Sequence, residues 1–280
     1  MHKDKISFSF GRIGVIARNT FLEAVRQKLF NFLVVIAVGM TVSSLLLRDF
    51  NFGTSELKFI ADFGFGAIVF FGSILAIVAT AQLFFSEIEN RTALTILAKP
   101  VYRAEFIFGK FTGVAAVLLV FIALMTVLLT VILWWREGAL LAAVEDELTD
   151  VQLVYYGDIF LFGIVQWLKF CILTAVTMVV ASFSNSNLYT VVVSFFVLII
   201  CHLQYIAVEA WQGISNWLAK GLVWLLSLLF PNFQVFNVGD MVALGERLPA
   251  GAIASILLYS VAYVLVFSGL AIFSFKQREI

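Results

Sequence analysis

Apolar runs of bilayer length alternate with short polar stretches along this chain. The runs cover 29–47, 63–85, 108–134, 170–184 with an apolar lead-in from 158, 187–208 and 251–274. A bilayer core of about 30 Å takes about 20 helical residues at about 1.5 Å each. The pattern therefore predicts an all-α polytopic membrane protein with six transmembrane helices, and 1–280 reads as one transmembrane domain. A seventh apolar stretch, 211–230, is interrupted by Lys220 and stopped by Pro231. It is expected as a surface or re-entrant helical segment within an outer region 209–250. Residues 1–28 hold no early apolar run and no small-residue cleavage site follows the first span, so a cleaved signal peptide is not expected.

Composition sharpens the class. The chain is 62% hydrophobic and 13% charged, with a mean hydropathy of +1.04, against about 45–50% apolar and about 25% charged in a soluble domain. Only a lipid solvent accommodates that excess. The formal net charge is zero, which gives no pull toward nucleic acid. Cys171 and Cys201 both sit in apolar runs and read as small buried hydrophobes rather than a disulfide pair.

Charge sets the expected topology. Segments 1–28, 86–110 and the tail hold twelve of the eighteen basic residues, whereas 48–62, 135–158 and 209–247 hold five basic residues and twelve of the eighteen acids. By the positive-inside rule, both termini and the 86–110 loop face the cytoplasm. The expected location is a bacterial cytoplasmic (inner) membrane.

Three polar features interrupt the apolar pattern. Residues 11–28 place Ile13, Ala17, Phe21, Ala24 and Val25 on one helical side and Arg12, Asn19, Glu23 and Arg26 on the other, as in an interfacial helix, with Val15, Ile16 and Leu22 spoiling the separation. A short cytoplasmic helix packed on protein is the alternative. The loop SEIENRTALTILAKPVYRAEFIFGK, 86–110, opens with a capping-box pattern at Ser86 and Glu89, with Thr92 as a competing cap, and Ala93, Leu94, Ile96 and Leu97 form the apolar face of a short cytoplasmic coupling helix at the membrane surface that Pro100 stops. A plain connector needs only a few residues, so the loop reads as a docking element for a cytoplasmic protein, with a solvated connector as the bland alternative. Within the spans, Lys169 either snorkels or serves a pathway or inter-helix role. His202 and Gln204 lie in the outer half of the fifth span, and an intramembrane His more often bonds a neighbouring helix than a ligand. Cys171, Met178, Cys201, His202 and Met241 include soft copper ligands, but their spacing is not diagnostic and no metal is assigned. Gly72, Ala76 and Thr80 form a small-residue stripe suited to close helix packing.

Glu87, Glu89, Arg91, Thr92, Leu94, Leu97, Lys99, Pro100, Val101, Arg103, Gly109 and Lys110 form a pattern that resembles the coupling loop of type-2 ABC exporter permeases. LFPNFQVFNVGD at 229–240 resembles the outer segment before the last span in one branch of that family, often labelled a multicopper-enzyme maturation permease. The resemblance covers essentially the whole chain, although Lys169 has no counterpart in the family pattern. It implies a permease subunit whose ATP and Mg sit on separate cytoplasmic ABC ATPase subunits, with no cofactor in this chain. It also implies a second permease copy or paralogue, surrounding membrane lipid and room for an extracytoplasmic accessory protein. Glu87, Glu89, Arg91, Thr92, Leu94, Leu97, Lys99, Pro100 and Arg103 are then the ATPase-coupling residues. The chain holds no G-x-x-x-x-G-K-[ST] phosphate loop, so catalysis is not expected here.

Two rival classes remain. A secondary transporter or channel would need no ATPase, but such proteins place charges and broken helices at mid-membrane, and this chain has few. An intramembrane enzyme would need a nucleophile–base pair that no spacing here supports.

Overall fold

The computed structural model describes residues 9–47, 55–89, 102–143, 155–210, 216–245 and 248–277. Among them there is no strand. The helices are α1 (Phe10–Arg26), α2 (Lys28–Ser43), α3 (Glu56–Glu89), α4 (Arg103–Ala143), α5 (Tyr156–Phe183), α6 (Asn187–Ala210), α7 (Trp217–Leu229), α8 (Gly239–Ala243) and α9 (Ala250–Gln277), with a 3₁₀ turn at Phe233–Phe236. Five of them are long and apolar enough to cross a bilayer alone; α1–α2 and the pair Trp217–Leu229 with Phe233–Ala243 pass the same test only as bent pairs.

The first bent pair turns by 63° at Gln27, whose backbone is extended. The break lies where charge patterning puts the end of the entry helix, although no proline or glycine marks it. α3, α4, α5, α6 and α9 are the five helices that pass alone, and a first crossing through the α1–α2 pair would be consistent with six. The predicted spans are shorter than these helices. Hydropathy detects only the lipid-length portion, whereas α4 continues into polar sequence at both ends, where Glu105 pairs with Arg12 and Arg136 with Glu56.

The second bent pair does not return through the bundle. α7 has no buried residue, and its Ser227 carbonyl receives the Gln204 amide of α6. The turn after it plugs the bundle: Phe233 and Phe236 are buried, Gln166 Nε2 donates to Phe236 O at 2.8 Å, and Asn232 N–H donates to Tyr259 Oη at 2.7 Å. α9 then runs back to the loop end, where Phe275 meets Phe84 and Phe106. A crossing by α7 and α8 would leave Phe275 at the opposite end.

α5 is the spine, packed by α3, α4 and α9. The small-residue stripe explains one of these contacts. A Cβ on Gly72 would fall 2.2 Å from the Phe170 ring, so only glycine admits that ring between α3 and α5, with Ala76 and Thr80 buried further along α3. α6 and α9 leave most of their apolar surface outward, as lipid-facing helices do.

Candidate functional site at the loop end

Residues 90–101 lie outside the described residues. So do Arg91, Thr92, Leu94, Leu97, Lys99, Pro100 and Val101 of the expected coupling set. Glu87 and Glu89 sit on the last turn of α3, with side chains outside the described set. The capping box is corrected. Ser86 starts no new helix, because α3 continues through Glu89; its hydroxyl bonds Leu83 O and donates to Glu23 Oε1 of α1 at 2.8 Å.

The loop's two roots are fastened to each other. Lys110, fully buried on α4, donates from Nζ to Leu83 O of α3 at 2.8 Å and lies 5.9 Å from the Phe106 ring centroid. The ammonium thereby closes the base of the loop in a site with little water, where an unpaired charge would be costly. Arg103 begins α4. Its Nη1 donates to Phe275 O at 2.8 Å and Lys276 O at 2.6 Å, and its guanidinium lies 5.8 Å from the Phe275 ring. Those are among the final carbonyls of α9, which a helix leaves without internal donors, and a cation there also meets the negative end of the helix dipole.

Glu105 is fully buried and receives four N–H groups. Arg12 donates from Nε at 2.9 Å and Nη2 at 2.7 Å, Ser9 N–H at 2.7 Å and Tyr102 N–H at 3.1 Å. The Arg12 hydrogen bonds, aided by the two backbone donors, hold its carboxyl below the usual carboxylate range despite burial. This fork fixes α1 to the start of α4. Below it, α1 closes on a glycine step: a Cβ on Gly109 would fall 2.6 Å from Ile16, and one on Gly113 2.8 Å from the Ala17 carbonyl. Gly-x-x-x-Gly lets two helices meet at backbone distance. α1 packs on α4 along this step, which is compatible with a helix lying in the headgroup plane. Its buried side includes Ala24 and Thr20, while Val15 and Leu22, which spoil the predicted separation, are exposed.

An aromatic knot underlies the site. Phe84 and Phe85 of α3, Phe106 and Ile107 of α4, Met178 and Ala181 of α5, and Ala271 and Phe275 of α9 form a buried cluster distinct from the main core. Phe106 stacks on Phe275 at 5.6 Å, and Phe84 meets both edgewise. Glu105, the Lys110 clasp and the Arg103 cap are the features that sequence reasoning missed. The GKFTG step at 109–113 was the available signal.

The intramembrane polar residues gather elsewhere. Lys169 is 4% exposed; its Nζ lies 3.1 Å from His202 Nε2 and 5.5 Å from the Phe233 ring centroid. This inter-helix arrangement replaces snorkelling. With its proton on Nδ1, His202 donates to Leu198 O at 2.9 Å and leaves Nε2 to accept from Lys169. Gln204 reaches Ser227 O at 3.3 Å, and its Oε1 is buried without a partner among the described residues. Cys171 and Cys201 are free and buried. Among the described residues no three His, Cys, Asp or Glu side chains gather as a metal site.

Ser9 and Phe275, near the two ends of the described chain, both lie at the α4 root of the loop that joins α3 to α4. The chain belongs to the ABC-2 transporter family: residues 14–280 match the family model described as ABC-2 family transporter protein. No curated protein matches the chain.

Proposed function

We propose that this chain is the permease subunit of an ABC exporter, and that a separate cytoplasmic ABC ATPase docks on the 86–105 loop. The observation that carries the reading is the way the loop is mounted. Its two roots are tied to each other through Lys110; the α4 root is tied to α1 through Glu105 and to the last helix through Arg103, and the α3 root to α1 through Ser86. A push on a solvated connector would dissipate in the connector. A push on this loop reaches α1, α3, α4 and α9 together. In this reading the basic end of the bundle is cytoplasmic, the ATP and Mg belong to the partner, and a second permease copy completes the complex. The complex exports cargo or transmits force to an extracytoplasmic partner.

Leu94 and Leu97 supply the buried anchors of the docking contact, and Glu87, Glu89, Arg91 and Lys99 steer it, since apolar anchors carry affinity and rim charges mainly set approach and register. Pull-down of the ATPase from membranes tests this. Leu94→Ala/Leu97→Ala is expected to lower capture at least tenfold, and Arg91→Glu by less, at equal membrane expression. Undiminished capture by the double variant would reduce the loop to a connector. The buried Lys169–His202 pair favours the rival secondary transporter, because intramembrane ionisable groups mark ion pathways. Transport that continues without ATP would establish that reading instead.

A further inference from the structure

At the loop end a surface cavity of about 510 Å³ opens between the first turn of α4 and the last turn of α9, lined by Tyr102, Arg103, Ala104, Ile272 and Lys276. The volume falls within the roughly 300–1,000 Å³ of small-molecule sites. Its described lining carries two cations and no carboxylate. Arg103 is held in place by its Nη1, which serves the Phe275 and Lys276 carbonyls, and by the Phe275 ring. Its guanidinium forms no other bond among the described residues. Lys276 is exposed, and its ammonium has no partner among them. Glu105, two residues after Arg103, is already neutralised. Its carboxylate is fully buried, lies outside the cavity lining and is taken up by Arg12 and two backbone N–H groups. The first turn of α4 adds the positive end of a helix dipole, which favours an anion, while Arg103 covers the nearest α9 carbonyls.

We propose that this cavity holds the phosphate of one anionic phospholipid, with the headgroup between Arg103 and Lys276 and an acyl chain running down the outer face of α9. Charge and position select this occupant. α9 has 28 residues, about 42 Å at about 1.5 Å each, against a hydrocarbon core of about 30 Å. About one turn at each end therefore stands among headgroups. Toward the bilayer from Lys276, the same side of the helix presents Phe273, Gly269 and Leu265 at the three- and four-residue spacing of one stripe. All three are exposed, and a Cβ on Gly269 would meet nothing within 4 Å. An acyl chain can lie there from Ile272 downward. A soluble anion would use the two cations and gain nothing from the stripe. A zwitterionic headgroup brings its own ammonium against them, whereas an anionic one leaves both cations to the phosphate. Basic pockets between helices at the cytoplasmic side take such headgroups. A bound headgroup bridges the two helix ends that Arg103 joins, adding a lipid to the fastening of α9.

The site rests on the permease reading only in taking this end as cytoplasmic. Labelling is measured without an ATPase, so its failure leaves the docking contact untouched, and a failed docking contact leaves the lipid site untouched. The experiment uses the full chain in phosphatidylcholine nanodiscs with phosphatidylglycerol carrying an acyl-chain diazirine. After illumination, peptides containing Ile272 are expected to carry at least fivefold more label than from the matching phosphatidylcholine probe. Unlabelled phosphatidylglycerol should compete, and inorganic phosphate should not. Lys276→Gln should bring the label down to the phosphatidylcholine level, and Lys276→Arg should keep it. Arg18→Gln removes one exposed cation from α1, outside the cavity, and should leave the label unchanged. Equal labelling by the two probes would make the cavity part of the ordinary lipid annulus and overturn the proposal. So would an equal loss in Arg18→Gln and Lys276→Gln, which would assign the preference to diffuse surface charge. Full competition by inorganic phosphate would assign the cavity to a soluble anion and overturn it too, as would labelling indifferent to Lys276→Gln.

Discussion

Each charge fastened at the loop end has a nameable task, and together they show what a single residue contributes. Lys110 closes the loop base, Arg103 caps α9, and Glu105 receives Arg12 and two backbone N–H groups. Glu105 also makes the fastening of α1 pH-dependent. Its carboxyl is held below the usual range in the folded protein. The stabilisation is therefore complete above the ordinary carboxylate pKa and is lost as pH falls through the depressed value. A spin label on α1 should stay immobile at neutral pH and gain mobility on strong acidification. Glu105→Gln should show the mobile signal at neutral pH and lose the acid step. An unchanged acid step in the variant would assign the titration elsewhere.

At the scale of elements, sequence and structure agree where one dimension suffices. The all-helical class, five helices of membrane length and the break after the entry helix were legible, because hydropathy and charge depend only on neighbouring residues. The Lys110–Leu83, Arg12–Glu105 and Arg103–Phe275 contacts span 27, 93 and 172 residues of chain, and no local pattern encodes who meets whom. Lys169 could be narrowed to two roles from its depth; choosing between them needed the position of His202 on another helix. The α1–α4 contact lies between these cases, since Gly109 and Gly113 mark a close approach without naming the partner. Gly113→Leu is expected to push α1 off α4, because even its Cβ would fall 2.6 Å from Thr20 and 2.8 Å from the Ala17 carbonyl. Overpacking of this kind costs about 1–3 kcal/mol. Protease cleavage within 9–27 should speed up, with the span pattern unchanged. Gly66→Leu, which meets open space, is the matched control; equal sensitivity of both variants would deny the glycine step its role.

For the whole molecule, the question is how a displacement at one loop reaches a bundle whose last helix is mostly lipid-facing. α9 joins the loop end through Phe275 in the aromatic knot and through the two carbonyls that Arg103 holds. Arg103, expected from the sequence at the ATPase contact, has its guanidinium committed to this cap. A rim contact and a fastening predict different results. Arg103→Gln is shorter, keeps some donor capacity and loses both the reach and the charge that suit the α9 terminus. If Arg103 fastens α9, the variant should capture the ATPase as well as wild type does. Spin labels at 108 and 277 should then report a broader distance distribution, and ATP hydrolysis should be less tightly linked to transport. If it belongs to the docking surface, capture falls and the 108–277 distance stays sharp. The second result would remove α9 from the path by which the loop moves the bundle, leaving the knot as packing alone.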